Sequence, residues 1–434
     1  MTVYVLKRSL WISGVALFLV GLVGWWDRMT NGEQHANYGS IVPWGLWIAV
    51  YIFFIGLSAG SFLISSMVYV FGMKKFEPVG RLSLLTALVT LGCALLSVWA
   101  DIGHMFRFWH VFAYPNFQSA MAWMIWLYST YFLLLAVETW YLLRRDMVLA
   151  RKLPGWKAVV YKALTFRSNA TSDESHRHDR KIVKRLASIG IPVAIMFHGG
   201  VGALFGVVLA RSAWNSGLFP ILFLLSALVS GGALLTLAAA IFQDGLNRYR
   251  ETIVALGQLV LGVLLLDTLM QFADILVAGY GGVPGHVAAL KLMVAGPYWW
   301  VFWIWQIGMG TVIPVVILSS AKRRNAHWVS GAAGLIVLGF IGVRLNIVIP
   351  SLVVGEIKGL ETAVTSSRVS ASYFPSAMEW LVTMSIVGLF LMLFGLGEKL
   401  LPSGSEVNQQ VLPHDPNAQE KVALTPEGGD YVQS

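Results

Sequence analysis

The sequence predicts an all-α polytopic membrane protein with about ten transmembrane helices, and three observations predict it. Apolar residues make up 57% of the 434 and charged residues only 12%. Mean hydropathy is +0.69, which no water-exposed surface sustains. Apolar stretches of about 20 residues recur from the first twenty positions to residue 400, each long enough to cross a hydrocarbon core of roughly 30 Å.

Periodicity and length place the spans near 8–26 (α1), 43–71 (α2), 80–102 (α3), 118–143 (α4), 184–210 (α5), 217–242 (α6), 252–278 (α7), 297–319 (α8), 328–349 (α9) and 376–398 (α10). The first stretch exceeds a signal-peptide core and runs into Gly-Trp-Trp-Asp without a small-residue cleavage site, so it is expected to stay as a helix, with the mature chain starting near Met1. Residues 1–400 form one transmembrane domain on this reading, and 401–434 a polar cytoplasmic tail expected to be disordered.

The net charge of +9 follows membrane topology rather than nucleic-acid binding. With alternate loops assigned to opposite sides, 24 Lys and Arg fall on one side and 7 on the other. The positive side is cytoplasmic, so both termini and the basic loop 144–183 are expected there, in the cell (inner) membrane. The outward loop 350–375 is long enough for docking or capping. Small residues recur at matching places, Gly56, Ala59 and Gly60 on α2 and Gly231 and Gly232 on α6, while Arg81 and Arg250 lie at the openings of α3 and α7. They point to two four-helix bundles, α2–α5 and α6–α9, with α1 and α10 peripheral, although small residues also serve ordinary helix packing.

Ionisable groups inside spans are costly, so each is a candidate for function. Asp101 and His104 close α3 at i, i+3 spacing, a carboxylate and an imidazole able to exchange protons on one helical face, with Arg107 after them. The bland reading is a helix end reaching headgroup water. His198 lies about fifteen residues into α5, near mid-membrane, with two glycines beside it. Asp267, Gln271 and Asp274 form one polar stripe on α7, either a proton path or a neutralised structural set. Glu138 on α4 reads as snorkelling, or as pairing with Arg144 or Arg145. Arg344 and Asn346 end α9 and Glu379 opens α10, which fits a salt bridge closing an outer vestibule as well as a site wall.

Cofactors held by the protein itself are limited by ligands. One cysteine, Cys93, cannot ligate an iron-sulfur cluster, and His198 is the only histidine well inside a span, so neither a cluster nor a bis-histidine haem is expected. No metal site is expected either.

Several motifs together resemble the NrfD/polysulfide-reductase family of integral membrane subunits. They are Pro43-Trp44-Gly45-Leu-Trp47, Gly56-Leu-Ser-Ala-Gly60, Asp101-Ile-Gly-His-Met-Phe-Arg, His198, and Arg344-Leu-Asn with Tyr373-Phe-Pro and Glu379-Trp. The length is similar to ten-span members in hydrogenase, sulfur-metabolism and alternative complex III systems. The resemblance implies menaquinone or ubiquinone bound near the outward surface. It also implies electron exchange with a ferredoxin-like multi-cluster iron-sulfur subunit, beside a molybdopterin oxidoreductase, a hydrogenase or a multihaem cytochrome. Asp101 and His198 would be the quinone-proton ligands, with Trp44, His104, Arg107, Arg344 and Glu379 lining the site. His104 departs from the family's Asp-x-Gly-Arg pattern. The function implied is a quinone-reactive membrane anchor of a respiratory oxidoreductase, with possible coupling to proton translocation. The competing classes are a secondary transporter, which calls for Gly/Pro-broken spans at matching places in the two halves, and a purely structural anchor.

Overall fold

The computed structural model describes residues 3–151, 155–166, 168–242, 245–355, 359, 366 and 369–401. Among them are ten helices long and apolar enough to span a membrane, one for each predicted stretch. They are α1 Val3–Asn31, α2 Leu46–Tyr69, α3 Lys74–Asp101, α4 Ala120–Ala150, α5 Asp173–Gly206, α6 Phe219–Ile241, α7 Arg250–Gly281, α8 Val301–Ser319, α9 Ala326–Val353 and α10 Ala377–Leu400. The protein is a multi-pass integral membrane protein. The predicted tail lies outside the described residues from 402 onward.

The two predicted bundles are present. Helices α2 and α5 pack on each other and on α3 and α4, and α6 and α9 repeat the arrangement with α7 and α8. The bundles join along α2 and α6, reinforced by α5 on α6 and α9 on α2, which leaves α2 buried along nearly its whole length. Hydroxyls such as Thr90, bonded to the Thr86 carbonyl at 2.6 Å, and Ser58, bonded to the Ala87 carbonyl at 2.7 Å, are satisfied locally or across helices, while those of Thr139 and Ser226 are buried without a partner. Helices α1 and α10 form a peripheral pair, closely packed because Gly14, Gly21 and Gly24 face α10 without side chains between the backbones.

Several boundaries differ from the sequence expectation. The basic segment 144–183 is largely helical rather than a hydrated loop: α4 runs to Ala150, a short helix spans Trp156–Leu164, and α5 starts at Asp173. Ion pairs hold the extensions, Arg144 to Asp179 at 2.8 Å and Arg145 to Asp173 at 3.0 Å. Both arginines are thereby engaged away from Glu138, which is fully buried with neither carboxylate oxygen hydrogen-bonded, so the snorkelling reading fails. The outward loop is shorter than predicted because α9 continues to Val353, while α10 begins at Ala377, within one residue of the expected start.

The first ten residues or so of α8 carry a feature that periodicity does not reveal: Val301–Val312 is wound as a π-helix. Such turns recur at functional sites, where they re-aim side chains. Here Gly310 lies against Gly339 of α9, close enough that a Cβ on Gly339 would stand 2.2 Å from the Gly310 Cα.

Candidate functional site: a polar-ended cavity in the second bundle

The α7 stripe turns inward, as its i, i+4, i+7 spacing requires. Together with α6, α8, α9 and a short helix Pro284–Val294 it encloses a cavity in the half of the bundle that holds the α6–α7 ends Phe219 and Asp274. Phe219, Phe223, Trp214 and Ile347 form apolar walls, while Asp267, Gln271, Gln306, Arg344 and Asn346 bring polar groups to it.

Those polar groups form one directional line. Asn346 Nδ2 donates to Gln306 Oε1 at 2.7 Å, Gln306 Nε2 to Gln271 Oε1 at 2.8 Å, and Gln271 Nε2 to Asp267 Oδ2 at 2.6 Å. Three helices thus hold one carboxylate in a fixed orientation. Its other oxygen, Oδ1, is buried with no hydrogen-bond partner. Farther along α7, Asp274 Oδ1 accepts from Ser216 at 3.1 Å. His286 borders the same cavity, outside the spans, and burial holds its imidazole below the ordinary value of 6.5 against the opposing pull of Asp274.

Arg344 lies within reach of the Asp267 charge yet makes no hydrogen bond to it. It is 1% exposed, and all three guanidinium nitrogens lack a hydrogen-bond partner. Its guanidinium carbon lies 5.2 Å from the centroid of the Phe223 ring. On the α2 side Gly56 faces it, where an added Cβ would come within 3.1 Å of Nη2. A buried donor group without an acceptor costs several kcal/mol, on the order of 1–3 for each unsatisfied group, so an acceptor oxygen entering the cavity would remove a penalty that the folded state bears. His198 is in the same situation: it is fully buried, neither ring nitrogen has a partner, and its ring lies 6.1 Å from Phe223. Phe223 therefore neighbours both residues.

The α3 end forms a separate cluster. Helix α3 stops at Asp101, Ile102 is extended and His104 is non-helical, so Asp101 and His104 do not share a helical face as the spacing predicted. Asp101 Oδ1 is buried without a partner beside Tyr38, whereas His104 and Arg107 are exposed at a shallow depression with Arg28. Arg28 caps the helix end through the Ala100 and Ile102 carbonyls at 2.8 and 2.9 Å, and reaches Glu33 at 3.1 Å. Burial raises the Tyr38 phenol well above its ordinary value, with the Asp101 charge adding to it.

Asp101 and His198 are therefore in different surroundings. Glu379 does not meet Arg344 either. It closes a capping box with Ser376, accepts from Asn37 N at 2.9 Å and from the Tyr373 hydroxyl, and so fixes the start of α10. The salt bridge expected to shut the vestibule is replaced by this cap. Trp44 stacks on Trp214 at 5.9 Å and reaches the cavity only through it. The sequence reading missed Phe223, Trp214, Gln306 and His286. Gln306 was the readable one, a lone amide in the run Val301–Val312.

Comparison with known proteins agrees with this architecture. The protein is 38% identical over 391 residues to a selenate reductase subunit of Mesobacillus selenatarsenatis, with 88% of this sequence and 91% of that one covered. It is 27% identical to the Hdr-like menaquinol oxidoreductase integral membrane subunit of Archaeoglobus fulgidus, over 89% and 91% of the two sequences. It is 25% identical to a polysulfide reductase chain of Wolinella succinogenes, over 72% and 94%. The profile described as "Polysulphide reductase, NrfD" matches residues 34–356, a stretch reaching from before α2 to the end of α9, and the chain belongs to that family of membrane subunits.

Proposed function

We propose that this protein is the quinone-reactive subunit of a membrane-bound respiratory oxidoreductase, and that the quinone ring occupies the cavity between α6, α7, α8 and α9. The observation that carries the placement is the buried, unpartnered guanidinium of Arg344 opening onto an aromatic-walled space. The relatives named as a menaquinol oxidoreductase subunit and as a polysulfide reductase chain supply the ligand class.

A quinone–quinol couple exchanges two electrons and two protons. Arg344 would donate to a ring oxygen and favour charge developing there. Asp267 Oδ1, presented by the Gln271–Gln306–Asn346 line, would take or return the two protons one after the other, each passing between Asp267 and the mouth by way of the polar groups of Asp274, Ser216 and His286. Phe223 and Trp214 would sandwich the ring and exclude water. With positive loops inside, both termini are cytoplasmic and this mouth faces outward in the inner membrane. Electrons then pass to a docked iron-sulfur subunit, of the kind that works beside a molybdopterin, hydrogenase or multihaem partner, because a single cysteine leaves this protein no cluster of its own.

A second placement rests on Asp101, whose Oδ1 is also buried without a partner. There the ring would lie at the α3 end, with Tyr38 as its other contact and His104 and Arg107 at the rim. A secondary transporter is less well supported, because α2 and α6 are unbroken, and α5 and α9, which occupy matching places in the two halves and carry Pro192 and Pro350, also run on as continuous helices. The deciding experiment is Arg344→Gln in the intact complex. Quinone-linked turnover should fall by at least tenfold while artificial dyes still reduce or oxidise the partner subunit; unchanged turnover removes the ring from this cavity.

A further inference from the structure

A larger crevice lies between α1, α6 and α10, at the end of the bundle where the N-terminus of α1 and the C-terminus of α10 meet. Its cavity volume is about 450 Å³, within the roughly 300–1,000 Å³ typical of small-molecule clefts. The crevice exists because the α1–α10 pair, locked by its own glycine seam, leans on α3 and barely touches α6. Its walls are Leu234, Leu237 and Ile241 from α6, Phe390 and Phe394 from α10, and Trp11 from α1.

The rim has the opposite character. Lys7, Arg8 and Lys399 line it against one carboxylate, Glu398, which holds Lys7 at 2.5 Å. Arg8 and Lys399 are exposed, and the Lys399 ammonium lies 5.6 Å from the Trp11 ring, at the boundary between wall and rim. An apolar slot between transmembrane helices, closed at its polar end by a surplus of cations, matches a phospholipid in both parts: acyl chain along the aromatic wall, phosphate at the basic rim. Water would leave the walls unsolvated, and a neutral lipid would leave the cations uncompensated.

We propose that this crevice is a binding site for an anionic phospholipid of the leaflet that holds the first turns of α1 and the last turns of α10. The lipid would act as packing between the peripheral pair and the second bundle, independently of the quinone cavity on the other half of the bundle.

The test places the full complex, washed in mild detergent, into nanodiscs of phosphatidylcholine containing phosphatidylglycerol, then re-extracts it and counts retained lipids per complex by native mass spectrometry. Wild type should retain phosphatidylglycerol in preference to phosphatidylcholine. Arg8→Gln with Lys399→Gln, which leaves the Lys7–Glu398 pair intact, should cut that preference roughly thirtyfold, since each of the two surface cations contributes about 1 kcal/mol toward anionic lipid. Leu237→Trp, filling the slot, should lower retention of both lipids. Equal retention of the two lipids by wild type, or an unchanged preference in the double variant, would overturn the proposal. The charge variant lies at the surface and tests it even if Leu237→Trp fails to fold. Quinone-linked turnover in the double variant should stay at wild-type level, which separates this site from the Arg344 cavity.

Discussion

Gly60 of α2 and Gly231 of α6 cross backbone against backbone: a Cβ on Gly231 would stand 2.6 Å from the Gly60 Cα, and one on Gly60 only 1.9 Å from the Ala227 carbonyl oxygen. This crossing joins the two bundles, and Ser61 Oγ adds a hydrogen bond to the Gly231 carbonyl at 3.2 Å. The same contact of α2 with the second bundle brings Gly56 against Arg344. Gly231→Ala should therefore destabilise by about 1–3 kcal/mol, the usual cost of overpacking where only backbone can yield. Gly262→Ala, on α7 with nothing within 4 Å, is the control and should be neutral or stabilising by up to about 1 kcal/mol. Thermal unfolding of the detergent-solubilised complex measures both, and equal melting temperatures for the two variants would refute the assigned crossing.

The amide line makes a prediction about turnover. Gln306→Leu removes a donor to Gln271 and an acceptor for Asn346 at once, leaving two buried polar groups unsatisfied at about 1–3 kcal/mol each. If the line orients Asp267, quinone-linked kcat should fall more than KM rises, because the carboxylate is mispositioned while the aromatic walls remain. A pure KM effect would show that the line only shapes the cavity.

The ten spans were readable because span length is set by a single physical requirement, enough apolar residues to cross the bilayer. The two-bundle packing was readable from the small residues that recur on α2 and α6. The α5 extension to Asp173 was not readable, since a Ser-His-Arg-His-Asp run has no apolar stripe, and its helix depends on partners in α4, Asp179 with Arg144 above all. The inward stripe Asp267–Gln271–Asp274 was visible because helical spacing survives in one segment. Its completion by Gln306 and Asn346 was not, because it needs the π-winding of α8 and the register of α9. The pairing of Asp101 with His104 failed for a local reason, the helix ending at Asp101 just before Ile102 turns extended.

His286 gives a pH prediction whose sign is fixed by its burial. Its folded-state value lies below the ordinary 6.5, so between the two values the unfolded state binds a proton that the folded state does not. Stability from this group is complete above about pH 6.5 and declines as pH falls below it. His286→Gln should flatten that decline, compared by melting temperature from about pH 7.5 to 5.5. A parallel fall in both proteins would assign the acid sensitivity to other groups.

Asp101 and His198 were expected to serve one ring, yet they lie in separate environments, and their variants should separate accordingly. His198 touches Phe223, which in turn carries Arg344, so His198→Ala should open space beside the cavity wall and alter quinone binding, seen as a raised KM and weaker retention of quinone on purification. Asp101→Asn keeps the shape at the α3 end, and Arg28 still caps the Ala100 and Ile102 carbonyls through its own contacts, so assembly should be preserved. With the ring in the Arg344 cavity, Asp101→Asn should leave quinone affinity within about twofold, a change smaller than one ordinary hydrogen bond contributes. The complementary pattern, affinity lost in Asp101→Asn and kept in His198→Ala, would move the ring to the α3 end beside Tyr38. Because both groups carry buried, unpartnered atoms, the two measurements made on the same assembled complex decide which of the two is the ligand's counterpart.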